Sequence, residues 1–478
     1  MGGDEADLAG GYARALLDEV GWRCGAPGGV ADHPAVSWAR SGLMQVTGRP
    51  AGAGLMCPLP LAAAADGAMQ AFARIAGGAN DAWPVGASLL GQRARLRGLT
   101  RAGMQSPGGS CRLLPVCDGW IAVSLARNED WDAVPAWLMA DVRSDWDVIA
   151  GAVRGGDAEA LLARGRLLGL AVARADGDGM EPPWRHFTIG VGAAVVGRRR
   201  PLVIDLSSLW AGTLAGALLR LAGAEVIKVE SVARPDGARR GHGGFFDWLN
   251  GGKRCVALDF SSAEGRAALR ALLRQADIVI EASRPRALRQ LGMIAEEFVA
   301  EKPGLVWVSL TSYGRAGEAG DWVGFGDDAA VTAGLSQCMA ATYGQMLFAG
   351  DAIADPLTGI HAALAALAAS RQGAGGLVSL SLVGVVARAM RLGGAVHGDA
   401  LLARAERWSR IGAGWLGRPY DLPMATAPMP ARALGADTST VLSELHPFGR
   451  RVRGVGAIRN LAGNGWQPGL LRCKGGSQ

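Results

Sequence analysis

The chain has 478 residues, 49% of them apolar and 19% charged, with 72 glycines and a net charge of +6. That length exceeds one ordinary core, so two or three units are expected, and the balance excludes a disordered or fibrous chain. The basic residues are scattered, their densest runs (Arg198-Arg199-Arg200 and Arg450-Arg451-Val452-Arg453) falling in apparent linkers. This argues against nucleic acid, which needs clustered cations with stacking aromatics, and suits a polyanionic small ligand equally well.

In chain order, residues 1–29 form a helical N-terminal segment with an acidic start and no signal-peptide pattern, and a cytoplasmic location is expected. Residues 30–195 hold Ala-rich helical patterns and one convincing strand, Gly119–Leu125. The Asp176–Pro183 and 194–200 stretches read as a linker. Between 196 and 395 short apolar strands alternate with helices: strands at Leu202–Leu206, Glu225–Glu230, Cys255–Asp259, Asp277–Glu281, Leu305–Leu310 and about Leu377–Leu382. Helices are expected at Thr213–Leu221, about Ser262–Gln275 and about Asp355–Ser370. Such alternation predicts an α/β fold with a parallel sheet covered on both faces, beside a smaller α+β domain. Residues 396–478 read as a loop-rich tail packing back on the core. One internal echo stands out: Ser41-Gly42-Leu43-Met44-Gln45 before an Ala-rich helix matches Ala333-Gly334-Leu335-Ser336-Gln337 before the helix at Asp355.

Local chemistry is sparse. Seven dispersed cysteines without a CxxC pair predict neither a disulfide framework nor a zinc site, and no metal is expected. No apolar run approaches a membrane span. No GxGxxG follows the strand at Leu202, so a nicotinamide-cofactor reading is weak. His361 reads as a packed core residue, and His242 sits in a Gly-rich loop able to approach a ligand.

Several ordered segments resemble family III CoA-transferases, the group of formyl-CoA transferase, carnitine CoA-transferases and 2-methylacyl-CoA racemases. They are Val203-Ile204-Asp205-Leu206-Ser207-Ser208-Leu209-Trp210-Ala211-Gly212 and Gly223-Ala224-Glu225-Val226-Ile227-Lys228-Val229-Glu230. Pro235–Arg239, Phe246–Arg254, Asp277–Glu281, Arg284–Leu288 with Leu291-Gly292, Ser309–Gly314 and Ala354-Asp355-Pro356-Leu357-Thr358-Gly359 follow in order. The resemblance implies a Rossmann-like CoA-binding core, with CoA or acyl-CoA as substrate and no covalently bound cofactor. It assigns CoA binding to Leu209, Trp210, Ala211, Glu230, Arg239, Leu249, Asn250, Lys253, Arg254, Ala282, Ser283, Arg289 and Leu291. Two departures stand beside it: Gln290 where an arginine is common, and Ala282-Ser283 where some members have Asn-aromatic. Residues 38–60 and 84–135 resemble the family's second half, with Val116–Ser124 and Trp131 matching its smaller domain. The 428–445 segment resembles its C-terminus. The chain thus reads as a rearranged tandem, a partial repeat at 30–195 preceding the core, and the family's interlocked homodimer is the expected assembly.

Family transferases attack the thioester with an aspartate that lies eight residues before a small-residue glycine. Here Gly324-Phe325-Gly326-Asp327-Asp328-Ala329-Ala330-Val331-Thr332-Ala333-Gly334 puts Gly326 at that place. Three readings stand: Asp327 takes the role, Asp328 takes it, or the site is chemically different or inactive. An Asp pair before an Ala-rich helix is also what N-capping requires. The expected function is CoA transfer between an acyl-CoA and a carboxylic acid through an aspartyl intermediate. The alternatives are an impaired CoA-binding homologue or partner subunit, and an acyl-CoA racemase or isomerase whose Gly-His-Asp signature is missing.

Overall fold

The computed structural model describes residues 7–23, 32–77, 83–143, 145–176, 180–190, 200–394, 397–415, 418, 420–427 and 429–445. Cys24 and Cys473, Arg198 and Arg199, the Arg450–Arg453 run, Pro428, the chain end from Lys474 and most of the linker stretches lie outside the described residues.

A small antiparallel sheet comes first: β1 (Cys111–Val116), β2 (Gly119–Ser124) and β3 (Ala171–Arg174) in that order. The main sheet has seven strands: β4 (Arg185–Ile189), β5 (Leu202–Asp205), β6 (Glu225–Ser231), β7 (Arg254–Leu258), β8 (Ile278–Glu281), β9 (Val306–Thr311) and β10 (Gly376–Ser381). Their order is β4-β10-β9-β8-β5-β6-β7. β5 to β10 pair in parallel, and β4 lies antiparallel against β10. β8, β9 and β10 are buried along their whole length, as their Val/Ile/Leu content demands for a sheet covered on both faces. The expected α/β class and parallel core are therefore observed. Strand order reverses between β5 and β8, the crevice where such sheets receive ligands beyond their carboxyl ends.

The long helix Ala354–Arg371 runs through the main core between the helices Ala211–Leu221 and Leu61–Ala76. Of its 18 residues only Asp355 and Arg371 escape burial, so it is apolar all round, as a central helix must be. Its contact with Ala211–Leu221 is close: a Cβ on Gly359 would stand 2.7 Å from the Ala211 carbonyl oxygen. The internal echo has a structural counterpart. The helix Pro34–Arg40 and the helix Gly326–Thr332 are each followed by a left-handed glycine, Gly42 (φ +83°) and Gly334 (φ +95°). Next come the helices Leu61–Ala76 and Ala354–Arg371, each with an aspartate turned to the first helix. Asp66 accepts from Ser37 Oγ at 2.9 Å, and Asp355 lies over Gly326.

Some elements differ from expectation. β1, β3 and β4 add strands to a region where the sequence shows one. The tail expected to be loop-rich contains a helix, Gly398–Gly412, whose buried face (Leu401, Arg404, Ala405, Trp408) includes an arginine within its stripe. Residues 437–445 dock on β7: the Cys255 amide donates to Asp437 (2.8 Å) and the Ala257 amide to Thr438 Oγ1 (3.0 Å).

Candidate active site

The loops beyond β5, β6 and β8 are held by buried charge pairs. Lys253 Nζ donates to Asp205 Oδ2 (2.8 Å), the Thr213 carbonyl (2.8 Å) and Asn250 Oδ1 (3.1 Å). An ammonium has three donors, so none remains for a phosphate. Burial pulls the Lys253 amine down to about 8 against the opposing pull of Asp205. Lys228 Nζ donates to the Ser207 carbonyl (2.8 Å) and lies 2.9 Å from Asp236 Oδ2. The Leu209 amide donates to Asp236 Oδ1 (3.0 Å), which fixes Leu209 in a left-handed conformation (φ +65°) with its side chain in solvent. Trp210 is buried edge-on against Phe245, ring centroids 5.4 Å apart, at the entry to the Ala211–Leu221 helix.

The other residues expected to meet CoA divide into two sets. Arg239 forks onto Glu230 (2.6 and 3.1 Å), Arg254 bonds Glu225 (3.0 Å) and Glu444 (2.8 Å), and Arg289 bonds Glu296 (3.1 Å). Leu249 and Asn250 are buried, and Leu291 packs against the second core. Leu209, Ala282 and part of Ser283 face solvent at the crevice. Beside them Arg284 is held below the usual arginine value by partial burial and by neighbouring Arg286, Arg127 and Arg234, with Asp321 acting in the opposite direction. This arginine group gathers positive charge at the strand ends. His242 is exposed, and His361 is buried between Tyr12 OH (2.9 Å) and the Leu357 carbonyl (2.7 Å).

Inward from this rim lie four aspartates. Asp328 accepts from Ser124 Oγ (3.0 Å), Tyr313 OH (3.3 Å) and the Phe325 amide (2.9 Å), so it caps its own helix and ties the small sheet to it. Asp327 Oδ1 accepts from the Ala352 amide (2.8 Å), and the Ser106 hydroxyl also bonds its carboxylate. Asp351 is gripped by the Arg93 fork at 2.7 and 2.5 Å, and Arg93 in turn lies over the Trp210 ring at 5.1 Å. Asp355 opens the long helix. Burial pushes Asp327 up to about 6, aided by Asp351 and opposed by Arg93. Burial likewise pushes Asp328 to about 7, against the Phe325 and Ser124 bonds. Asp355 rises to about 7 through burial, against Arg93 and with the help of Asp327 and Asp328. One arginine among four carboxylates means that the cluster holds protons near neutrality.

Gly326 has a steric reason. A Cβ there would stand 2.5 Å from the Ala352 carbonyl oxygen and 2.6 Å from Asp355 Oδ2. The segment leading into the long helix closes over the position, and no larger residue fits. Among the described residues no group of three or more His, Cys, Asp or Glu side chains is arranged to hold a metal ion, and no helix is long and apolar enough to cross a membrane.

Residues 201–410 match the family model described as CoA-transferase family III. The chain is 33% identical over 212 residues to a succinate–glutarate CoA-transferase of Agrobacterium fabrum, covering 39% of this chain and 52% of that protein. It is 33% identical over 198 residues to a succinyl-CoA–D-citramalate CoA-transferase of Chloroflexus aurantiacus, covering 38% and 49%. An acyl-CoA transferase of Fusarium pseudograminearum is 32% identical over 199 residues, covering 38% and 44%. The chain spans about half the length of these curated relatives.

The matched segment contains β5 to β10 and all four aspartates, whereas Arg93, Ser106, Ser124 and Arg127 precede it. The structure brings Asp327 and Asp328 together as the sequence suggests, and adds Asp351, Asp355 and Arg93. Asp355 stands in the quoted 354–359 segment and could have been found there. Nothing local marks Arg93, one of three arginines in the helix Gly86–Arg97.

Proposed function

We propose that this chain moves CoA between an acyl-CoA and a carboxylic acid, with a carboxylate of the aspartate cluster as the acyl carrier. The observation that carries this reading is the cluster itself, within the matched segment, where Tyr313 just after β9 reaches Asp328. A carboxylate suits the task because it is a competent nucleophile whose acyl product stays reactive. CoA enters as a substrate. Its phosphates meet the arginine group of Arg284, Arg286, Arg234 and Arg127, and its chain runs along Leu209–Ala211 and Ala282-Ser283 toward the cluster. Asp327 and Asp328 shape the field there, Asp328 with its oxygens already engaged. The small sheet serves as the family's smaller domain, supplied from the front of the chain.

The test is exchange of isotopic label between succinyl-CoA and free succinate or glutarate, followed by chromatography. Label passing to the free acid at enzyme-dependent rates supports the reading. A second reading, a CoA-binding homologue without covalent chemistry, draws on Gly326. It predicts calorimetric CoA binding with no exchange.

A further inference from the structure

Among the described residues Arg93 is the one cation bonded to the carboxylate cluster, and it comes from the helix Gly86–Arg97, ahead of the matched segment. Its guanidinium works on two sides at once. One edge forks onto Asp351, Nε to Oδ2 at 2.7 Å and Nη2 to Oδ1 at 2.5 Å. Its face lies over the Trp210 ring, 5.1 Å from the centroid. Asp351 leads into the long helix, and Trp210 follows the left-handed Leu209 at the crevice. The chain before β1 closes over the pair. A Cβ on Gly108 would stand 3.0 Å from Arg93 Nη2, and the nearby Ser106 hydroxyl bonds Asp327.

Stability alone is a poor reason for this arrangement. Asp351 is fully buried, and a buried ion pair gains little over apolar side chains of the same shape. What the guanidinium supplies is position: a planar fork for one partner and a flat face for the other, which an ammonium cannot offer together. We infer that Arg93 is a positioning residue of the transferase site, clamping the carboxylate cluster through Asp351 and the CoA-receiving loop through Trp210. The inference rests on the transferase reading above.

The charges around it are few. Asp351, Asp327 and Asp355 act on Arg93, and its cation in turn favours the ionised forms of Asp327 and Asp355. Its helix packs against Pro34–Arg40, Leu61–Ala76, Gly243–Asn250 and Ala354–Arg371. Their other charged or titratable groups are engaged elsewhere or solvated. Arg40 bonds Asp32 and Asp421, Asp66 accepts from Ser37 and the Ala87 amide, and Asp247 accepts from the Ala431 amide. His361 bonds Tyr12 and Leu357, while Arg74 and Arg371 are exposed. On its own helix Arg95 lies over Tyr420, and Arg97 is exposed.

Arg93→Met alone would strand Asp351, so the test uses Asp351→Asn as its reference and adds Arg93→Met or Arg93→Lys to it. Each full-length protein is measured for CoA affinity by calorimetry and for succinyl-CoA–succinate label exchange between pH 5 and 9. Exchange needs an ionised carrier and so falls on the acid side. Losing the cation should move that fall to higher pH, by about one unit for Arg93→Met against the reference. Arg93→Lys keeps the charge and should leave the fall in place. Both should weaken CoA binding on the order of fivefold, since both remove the flat face under Trp210. A purely structural role would lower the unfolding temperature and move neither readout. If exchange persists but the acid limb of Arg93→Met moves by less than about 0.3 units, or CoA affinity changes by less than about 1.5-fold in both variants, the inference is overturned and the transferase reading stands. Absence of exchange in the unaltered protein overturns that reading and the inference with it.

Discussion

At the scale of single residues, two buried charges make opposite demands. Asp328 ionises near the ordinary aspartate value when unfolded and at about 7 when folded. Between those pH values the folded chain holds a proton that the unfolded chain has released, so stability falls as pH rises through the window. The contribution is full below about pH 4 and lost above about pH 7. Asp328→Asn keeps an acceptor for the Phe325 amide and Ser124 while carrying no charge at any pH. Urea unfolding across pH 4–8 should show a shallower decline, with a gain over the parent on the order of a few kcal/mol at pH 8. An unchanged slope would show that Asp328 does not hold that proton. Lys253 works in the other sense, since its amine is the partner of Asp205 rather than of a ligand. Lys253→Met strands a buried carboxylate, at a cost of about 3–5 kcal/mol. Adding Asp205→Asn should recover much of this. Equal losses in the single and double variants, measured by denaturant unfolding, would show the two are uncoupled.

At the scale of elements, the Gly326–Thr332 helix and the segment entering the long helix meet with no room to spare. Gly326→Ala drives a methyl into the Ala352 carbonyl and the Asp355 carboxylate. Thermal unfolding should register a loss of about 1–3 kcal/mol. A variant as stable as its parent would mean the segment gives way freely. This contact also shows what the sequence could reveal. The parallel core was legible because Val203–Ile204, Val226–Ile227, Val279–Ile280 and Val306–Val308 announce buried strands between helical runs. Asp327 and Asp328 were legible as candidates by their spacing from Gly334. Asp351 and Arg93 were not, since the ion pair joins positions 258 residues apart. Lys253 misled because a buried and a solvated lysine look alike in sequence; only the Asp205–Thr213–Asn250 pocket distinguishes them. β4 escaped notice because Arg185–Ile189 is short, half polar and follows a proline pair.

At the scale of the molecule, the origin of the small sheet determines what assembly the site requires. The resemblance implies two interlocked chains, in which the smaller domain of one could close the site of the other. Within this chain Ser124 of β2 already reaches Asp328, Arg127 already lies over Phe325 at 5.7 Å, and Arg93 from the N-terminal helices already grips Asp351. The small sheet and the N-terminal helices thus reach the carboxylate cluster from within the same chain. Complementation separates the two arrangements whatever the oligomeric state. Asp355→Asn disables the core side, and Ser124→Leu crowds a larger apolar group against Asp328 from the sheet side. If each site drew its core from one chain and its small sheet from another, coexpressing the two variants would assemble some intact sites and restore exchange. With both sides supplied by one chain, every site carries one lesion, and the mixture should be no more active than either variant alone. Restored label exchange in the coexpressed sample, absent when the variants are purified apart, would show that the sheet crosses between chains.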